Sequence, residues 1–222
     1  MTIDSVIFDL DGLLIDTERY SKAAFHQAES DHGLDGHENL FLSLVGTNEI
    51  EHTERLSSAL KAHVDPVAFR KTWVDAFQQM ITEAPIPLLP GVNETLEWLK
   101  QEKVKTAVAT SSTSGAAEKK LTETGIHAYF DTVTCGDHVS RSKPHPDIFL
   151  RAGETISADM SRSIGLEDSA NGVKSAHAAG LNVIQVPNVV QTSDELLALG
   201  IQVCGSMHEV LELLQSGNAI RR

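Results

Sequence analysis

Two aspartates, Asp9 and Asp11, stand one residue apart directly after the apolar run 6–8, and Gly12 follows them. Burying two like charges this close together is unfavourable unless a cation or several hydrogen-bond donors compensate for them. Asp and Gly are also ordinary turn residues, so a solvated turn after a strand explains this segment equally well. The segment predicts either a solvated turn or a pair of functional carboxylates, and the rest of the chain is needed to distinguish these two alternatives.

Three further groups of polar residues could take part in phosphate or metal chemistry. They are, in chain order, the hydroxyl cluster Thr110, Ser111 and Ser112, the lysine Lys143, and the acidic pair Glu167 and Asp168. Each group alone has a structural explanation, because hydroxyls and acids begin helices and a lysine between turn residues is usually solvated. Together with the two aspartates they supply a nucleophile, a cation, hydroxyl donors and carboxylate metal ligands, which is the set that phosphoryl transfer requires.

These groups follow segments that are predicted to be strands. Apolar, β-rich segments stand at 3–9, 104–109, 132–134, 163–166 and 183–186. Helices are predicted between them, at 92–101, 114–123, from Pro146 and at 170–179, and a strand and a helix end the chain. Alternating strands and helices specify a parallel sheet covered by helices on both faces. Ligands of such sheets bind beyond the carboxyl ends of the strands, so the polar groups should share one edge. After the fifth strand come only Pro187 and Asn188, from which we predict nothing.

A long stretch of helical patterning, 17–83, separates the first strand from the others. Its apolar residues recur at helical spacing, with breaks near Gly33, Gly36 and Asp65, and the proline-rich segment 84–91 ends it. We therefore predict an α/β fold: a Rossmann-like parallel-sheet core with a small inserted α-helical cap domain. The core domain is expected at 1–15 and 86–222, and the cap at 16–85.

Composition excludes several classes of protein. The chain has 222 residues, 41% of them hydrophobic, and a formal net charge of −13, which disfavours nucleic acid and anionic membranes as partners. No stretch of about 18 apolar residues predicts a membrane span, and the first residues lack a leader pattern. Cys135 and Cys204 are far apart, so neither a disulfide framework nor a zinc site is indicated. We expect a cytoplasmic monomer.

The four polar groups together resemble the motifs of the haloacid dehalogenase superfamily, which consists mostly of phosphatases. Asp9, Asp11 and Gly12 resemble its first motif, Thr110 its second and Lys143 its third, and the acidic pair at 167–168 resembles its fourth. The longer segments DLDGLLIDTE, SKPHPDIF and GLEDSANGVKSAHAAG resemble the subgroup that contains β-phosphoglucomutase and sugar-phosphate phosphatases. The helical insert resembles the α-helical cap of that subgroup in position and length.

The resemblance implies a role for each residue of the motifs. Asp9 would attack phosphorus and form an aspartyl-phosphate, while Asp11 would protonate the leaving oxygen and then deprotonate water. Gly12 would let the backbone turn close to the phosphate. The resemblance implies Mg²⁺ as the cofactor and a small phosphorylated metabolite as the partner. Sugar phosphates are the first expected substrate class, and nucleoside monophosphates are the next.

Further residues would bind the metal or the substrate. Asp9, Glu167, Asp168 and the main-chain carbonyl of Asp11 would ligate Mg²⁺, a cation that takes oxygen ligands. The phosphoryl oxygens would be held by Lys143, Thr110 and Ser111. The candidates for contacting the rest of the substrate are Thr17, Glu18, Asn48, Glu49 and Trp73, of which Trp73 is expected to be mainly core.

Three alternatives to a phosphatase can be weighed. A dehalogenase would lack Asp11, and a binding protein on an inactive scaffold would have lost one or more of the motif residues. A phosphosugar mutase remains the second hypothesis. Against it, Ser21 stands where the β-phosphoglucomutase pattern has a histidine, and Glu49 stands near the place of its phosphate-binding arginine. The residues favour the phosphatase.

Overall fold

The computed structural model describes residues 3–47, 49–83 and 86–220. Six parallel strands form one sheet in the order β3-β2-β1-β4-β5-β6. The strands are β1 (Ser5–Phe8), β2 (Lys105–Ala109), β3 (Thr132–Thr134), β4 (Ile164–Glu167), β5 (Asn182–Gln185) and β6 (Gln202–Val203). The predicted α/β fold with a parallel sheet is confirmed.

Helices cover the sheet and also fill the interval between β1 and β2. That interval contains α1 (Thr17–Asp31), α2 (Glu38–Leu44), α3 (Glu49–Leu60) and α4 (Pro66–Glu83), which we call the helical insert. The later helices are α5 (Val92–Gln101), α6 (Ser114–Glu123), α7 (Asp147–Thr155), α8 (Ala170–Ala178), α9 (Asp194–Leu197) and α10 (Met207–Gln215). No helix in the described ranges is long and apolar enough to cross a membrane.

Strand β1 lies in the middle of the sheet and is fully buried. Val6 and Phe8 pack into the apolar cluster on one face, while Ile7 packs into the cluster on the other. A strand that is buried on both faces takes apolar side chains on both of them, which is why residues 6–8 form a continuous apolar run, while the buried Ser5 donates a hydrogen bond to Ser163. The carboxyl end of β1 is therefore held rigidly beside the ends of β2 and β4.

The helical insert has an aromatic core of its own, centred on Phe25. The Phe25 ring lies 5.5 Å from Phe41, 5.3 Å from Phe69 and 5.2 Å from Trp73, measured between ring centroids. The Trp73 ring nitrogen donates a hydrogen bond to the main-chain oxygen of Ser21 at 2.9 Å. Trp73 is thus mainly a core residue, as its place in a helical pattern suggests.

The predicted element boundaries differ from the observed ones by one or two residues. Strand β1 ends at Phe8 instead of residue 9, and β4 extends to Glu167 because Glu167 still pairs with Gln185 of β5. The predicted helices 92–101 and 114–123 have the bounds that α5 and α6 show. Helix α9 was not predicted, because its single turn has too few residues for a periodic pattern. The domain boundaries, at 15–16 and 85–86, stay predictions.

Candidate active site

The predicted polar groups meet at the carboxyl edge of the sheet. Asp9 leaves β1 with its N–H donating to the oxygen of Leu166 at 2.9 Å, so the end of β4 positions it. Lys143 donates to the carboxylates of both Asp9 and Glu167, with 2.6 Å to Glu167 Oε1. Glu167 is fully buried, and Asp9 and Lys143 are 5% and 3% exposed. Ionised groups this deeply buried require partners, and here they partner one another.

Three carboxylates converge next to Lys143. Asp9, Glu167 and Asp168 each offer one oxygen, and these oxygens lie within 4.8 Å of one another. Burial raises the pKa of Asp9 to about 7, although the Lys143 ammonium works in the opposite direction. Burial and then the Asp9 carboxylate raise the pKa of Asp168 well above its ordinary value. An oxygen-only set with unbalanced negative charge fits a hard divalent cation, so these residues could hold one.

Burial also opposes the charge on Lys143, but the two carboxylates outweigh it. Because Asp9 and Glu167 both accept hydrogen bonds from the ammonium group, the pKa of Lys143 is raised above its ordinary value. Lys143 therefore carries a permanent positive charge at the floor of the site. Such a charge can stabilise anionic oxygens that approach Asp9.

Gly12 is required by two features of the loop after β1. Its φ of +85° is a conformation that residues with a Cβ rarely adopt. A Cβ at this position would also lie 2.4 Å from Asp168 Oδ2. Asn188, from which we predicted nothing, donates through Nδ2 to the Gly12 oxygen at 2.9 Å. The loop after β5 therefore helps to hold the loop that carries both aspartates.

Asp11 faces the loop after β2 and helix α6. Its Oδ2 accepts hydrogen bonds from Ser112 Oγ at 2.7 Å and from Thr110 Oγ1 at 3.5 Å, and its Oδ1 lies 2.6 Å from Lys120 Nζ. Burial alone would raise the pKa of Asp11, but the Lys120 charge and these hydrogen bonds outweigh burial and lower that pKa. The two aspartates therefore have different surroundings: Asp9 points to a lysine and two acids, and Asp11 to a lysine and hydroxyls.

A cavity of about 390 Å³ lies between this sheet edge and the helical insert. Asp9, Asp11, Lys143, Asp168 and hydroxyl-bearing residues of the loops form its floor. The side contributed by the insert is lined by Glu18, Phe41, Leu44, Val45, Gly46, Thr47, His52, Arg70, Trp73, Val74 and Phe77. The cavity thus combines a charged floor with a largely apolar wall that bears a few polar groups, which is usual for a small-molecule site.

Most of the predicted site residues line this cavity. Thr110 and Ser111 do so, and Ser111 Oγ also lies 3.2 Å from Ser142 Oγ. Glu18 lines the cavity too, and burial, with repulsion from Asp11, raises its pKa to about 8. Asn48 lies outside the described residues. The side chain of Glu49 is likewise outside them, although α3 begins at that position.

Sequence reasoning missed several residues of the site. They are Ser112 as a partner of Asp11, Lys120, Asn188, and the insert residues His52 and Arg70. The hydroxyl cluster pointed to Ser112, whereas nothing in the pattern of α6 distinguishes Lys120 from Lys119. His52 stacks on Trp73, with 5.5 Å between ring centroids and 6° between ring planes. That contact depends on how α3 packs on α4, which the sequence does not reveal.

Comparison with known proteins assigns the chain to a family. Residues 6–186 match the family model of the haloacid dehalogenase-like hydrolases, and the chain belongs to this family. It is 30% identical to a phosphorylated carbohydrates phosphatase of Thermotoga maritima, over 96% of this chain and 99% of that protein. It is also 30% identical to the fructose-1-phosphate phosphatase YqaB of Escherichia coli, over 82% of this chain and 95% of that protein.

A solved structure with a ligand is also similar. A variant of CbbY from Rhodobacter sphaeroides, in complex with xylulose-(1,5)bisphosphate, is 26% identical to the chain with a TM-score of 0.74. The match covers 94% of this chain and 96% of that one. The predicted family and its subgroup are confirmed. The prediction of an enzyme is confirmed as well, because the named relatives in this family include phosphatases.

Proposed function

We propose that the protein is a Mg²⁺-dependent phosphatase that hydrolyses small phosphate monoesters, sugar phosphates first and nucleoside monophosphates next. It acts as a cytoplasmic monomer. The observation that carries the proposal is the position of Lys143 between Asp9 and Glu167, at the floor of a cavity of about 390 Å³. A buried nucleophile beside a fixed cation suits an anionic substrate, although the chain as a whole carries a charge of −13.

The residues that would hold Mg²⁺ are Asp9, Glu167 and Asp168, with the main-chain carbonyl of Asp11. The fit is supported by three buried carboxylate oxygens within 4.8 Å of one another. When bound, the metal would offset the negative charge that the substrate brings to these acids.

The reaction is divided between the two aspartates. A carboxylate oxygen of Asp9 bonds to phosphorus as the bond from phosphorus to the leaving oxygen breaks, and Asp11, which enters this step in its protonated form, gives a proton to that oxygen. Water then attacks the aspartyl-phosphate and passes a proton to Asp11, which releases phosphate and restores Asp9. Lys143, with Thr110 and Ser111, holds the phosphoryl oxygens throughout.

The helical insert acts as the cap that contacts the rest of the substrate. Glu18, His52 and Arg70 are the polar groups on its side of the cavity that we propose as contacts, and Asn48 joins them on the sequence argument. The cavity volume falls within the range of about 300–1,000 Å³ that is usual for small-molecule sites. A phosphorylated monosaccharide fits that size, and the named relatives that act on sugar phosphates support this substrate class.

The test is phosphate release from a panel of sugar phosphates and nucleoside monophosphates, with and without Mg²⁺. The panel includes β-glucose 1-phosphate, and its products are separated by chromatography. We expect Mg²⁺-dependent release from a few members of the panel. Conversion of β-glucose 1-phosphate to glucose 6-phosphate without phosphate release would instead identify a mutase.

A further inference from the structure

Lys120 extends from α6 to Asp11. Its Nζ lies 2.6 Å from Asp11 Oδ1 and 3.1 Å from Ser112 Oγ. Ser112 Oγ in turn donates to Asp11 Oδ2 at 2.7 Å. The two oxygens of one carboxylate are therefore held by different side chains, one on the helix and one in the loop before it.

Lys120 is largely buried between α6 and the residues that face it. It lines a second, smaller cavity of about 100 Å³, with Ile15, Ile81 and Ile86 among its walls. The side chain is only 15% exposed. Among the described residues that line the main cavity Lys120 does not occur, so it contacts Asp11 without forming the wall of the substrate cavity.

The neighbouring lysine on the same helix, Lys119, also lines the smaller cavity but differs from Lys120 in exposure and in its charged partner. The side chain of Lys119 is 52% exposed, and its Nζ lies 3.8 Å from Glu123, an equally exposed residue one turn later. An ion pair of this kind contributes little to stability. Lys119 is therefore a matched control for Lys120, with the same residue type, the same helix and no contact with Asp11.

We propose that Lys120 is a positioning residue for Asp11 in both proton transfers. The inference rests on the proposed function, in which Asp11 gives a proton to the leaving oxygen and later takes one from water. Lys120 Nζ holds Oδ1 while Ser112 Oγ holds Oδ2, so the Asp11 carboxyl group keeps one orientation toward the leaving oxygen in the first step. In the second step the same ion pair, with Ser112, keeps the carboxylate oriented to receive the proton of the attacking water.

The experiment compares two leaving groups. Wild type, Lys120→Met, Lys120→Gln, Lys120→Arg and Lys119→Met are assayed with Mg²⁺ on 4-nitrophenyl phosphate and on the sugar phosphate of the panel that wild type cleaves best. The value of kcat/KM covers the steps up to departure of the leaving group. Nitrophenolate leaves without a proton and a sugar alkoxide does not, so only the sugar phosphate depends on the proton from Asp11.

For Lys120→Met we expect kcat/KM on the sugar phosphate to fall by at least about tenfold, and on 4-nitrophenyl phosphate by less than about threefold. Lys120→Arg should recover most of the loss, and Lys119→Met should match wild type on both substrates. Lys120→Gln replaces the methionine variant if that variant's thermal midpoint shows that it does not fold.

Equal losses on the two substrates, no loss at all, or the same loss in Lys119→Met would overturn the role of Lys120 and leave the phosphatase intact. A wild type that releases phosphate from neither substrate would overturn the proposed function itself, and the inference with it.

Discussion

Gly172 lies directly against the carboxyl group of Glu167: a Cβ at position 172 would be 1.9 Å from Glu167 Cδ. Glu167 is fully buried, and Lys143 and Ser169 donate hydrogen bonds to its two oxygens, which hold the carboxylate in place. The first turn of α8 thus packs directly against the Glu167 carboxyl group. The glycine is needed here for close approach, because its φ is not in the left-handed region.

Gly172→Ala should displace the Glu167 carboxylate and weaken Mg²⁺ binding by at least about tenfold, the usual effect of disturbing groups around a metal. Calorimetric titration with Mg²⁺ measures this change. The control is Gly115→Ala, a helical glycine on α6 with no atom within 4 Å of an added Cβ. If Gly172→Ala bound Mg²⁺ as tightly as Gly115→Ala, Glu167 would not belong to the metal site.

Gly46 brings the helical insert close to the core, because a Cβ at this position would lie 2.5 Å from the Cβ of Ser169. Gly46→Ala should lower kcat/KM by about tenfold or more, since small displacements of the groups that position a substrate have large effects on rate. Gly33→Ala is the control, because Gly33 has a similar φ, +68° against +70°, and open space around it.

Gly46→Ala and Gly33→Ala should each lose about 1–2 kcal/mol in the free energy of unfolding, because each places a side chain at positive φ. Denaturant titration measures that loss. Only Gly46→Ala should lose activity as well, and equal activity in the two variants would show that this contact does not position the insert for the reaction.

The pH dependence of metal binding follows from the raised pKa of Asp9. In the metal-free protein this pKa is about 7, against an ordinary value of 3.8. The contribution of this group to stability is thus fully present below pH 3.8 and is lost as the pH rises through 7. Because Mg²⁺ binds the ionised form, protons compete with it at low pH.

Thermal denaturation with and without Mg²⁺ tests whether metal binding becomes stronger as the pH rises. We expect the rise in Tm produced by Mg²⁺ to be larger at pH 8 than at pH 6. Sodium chloride at equal ionic strength is the control, because a chain with a charge of −13 also gains stability from screening. A metal effect that is equal at both pH values, or larger at pH 6, would contradict the assignment of Asp9 as a ligand.

Part of the floor of the site could be predicted from the sequence because some of its residues stand at the carboxyl ends of strands. Asp9 directly follows β1 and Glu167 ends β4, so the rule that the carboxyl ends of parallel strands share an edge brings them together. Lys143 lies in the loop between β3 and α7, and the family resemblance was needed to predict its role. Asn188 obeys the same rule, but whether its amide reaches the loop after β1 depends on a turn that composition does not specify.

The other contacts depend on packing between elements that are distant in the chain. Lys119 and Lys120 are adjacent in one helix, and a one-residue rotation would exchange their environments. The wall contributed by the insert requires the packing of α1 on α4, which helical periodicity alone does not determine. Periodicity predicts that a helix has an apolar face but not which other helix covers it.

The most direct test of the account is Mg²⁺-dependent phosphate release by wild type and Asp9→Asn, purified in parallel and assayed on the same sugar phosphates. The asparagine has nearly the same shape, so its circular dichroism spectrum should match that of wild type. We expect release by wild type only, with Asp9→Asn below about a thousandth of that rate, because the covalent step has no other nucleophile. Turnover by Asp9→Asn above that level would show that Asp9 does not form the bond to phosphorus.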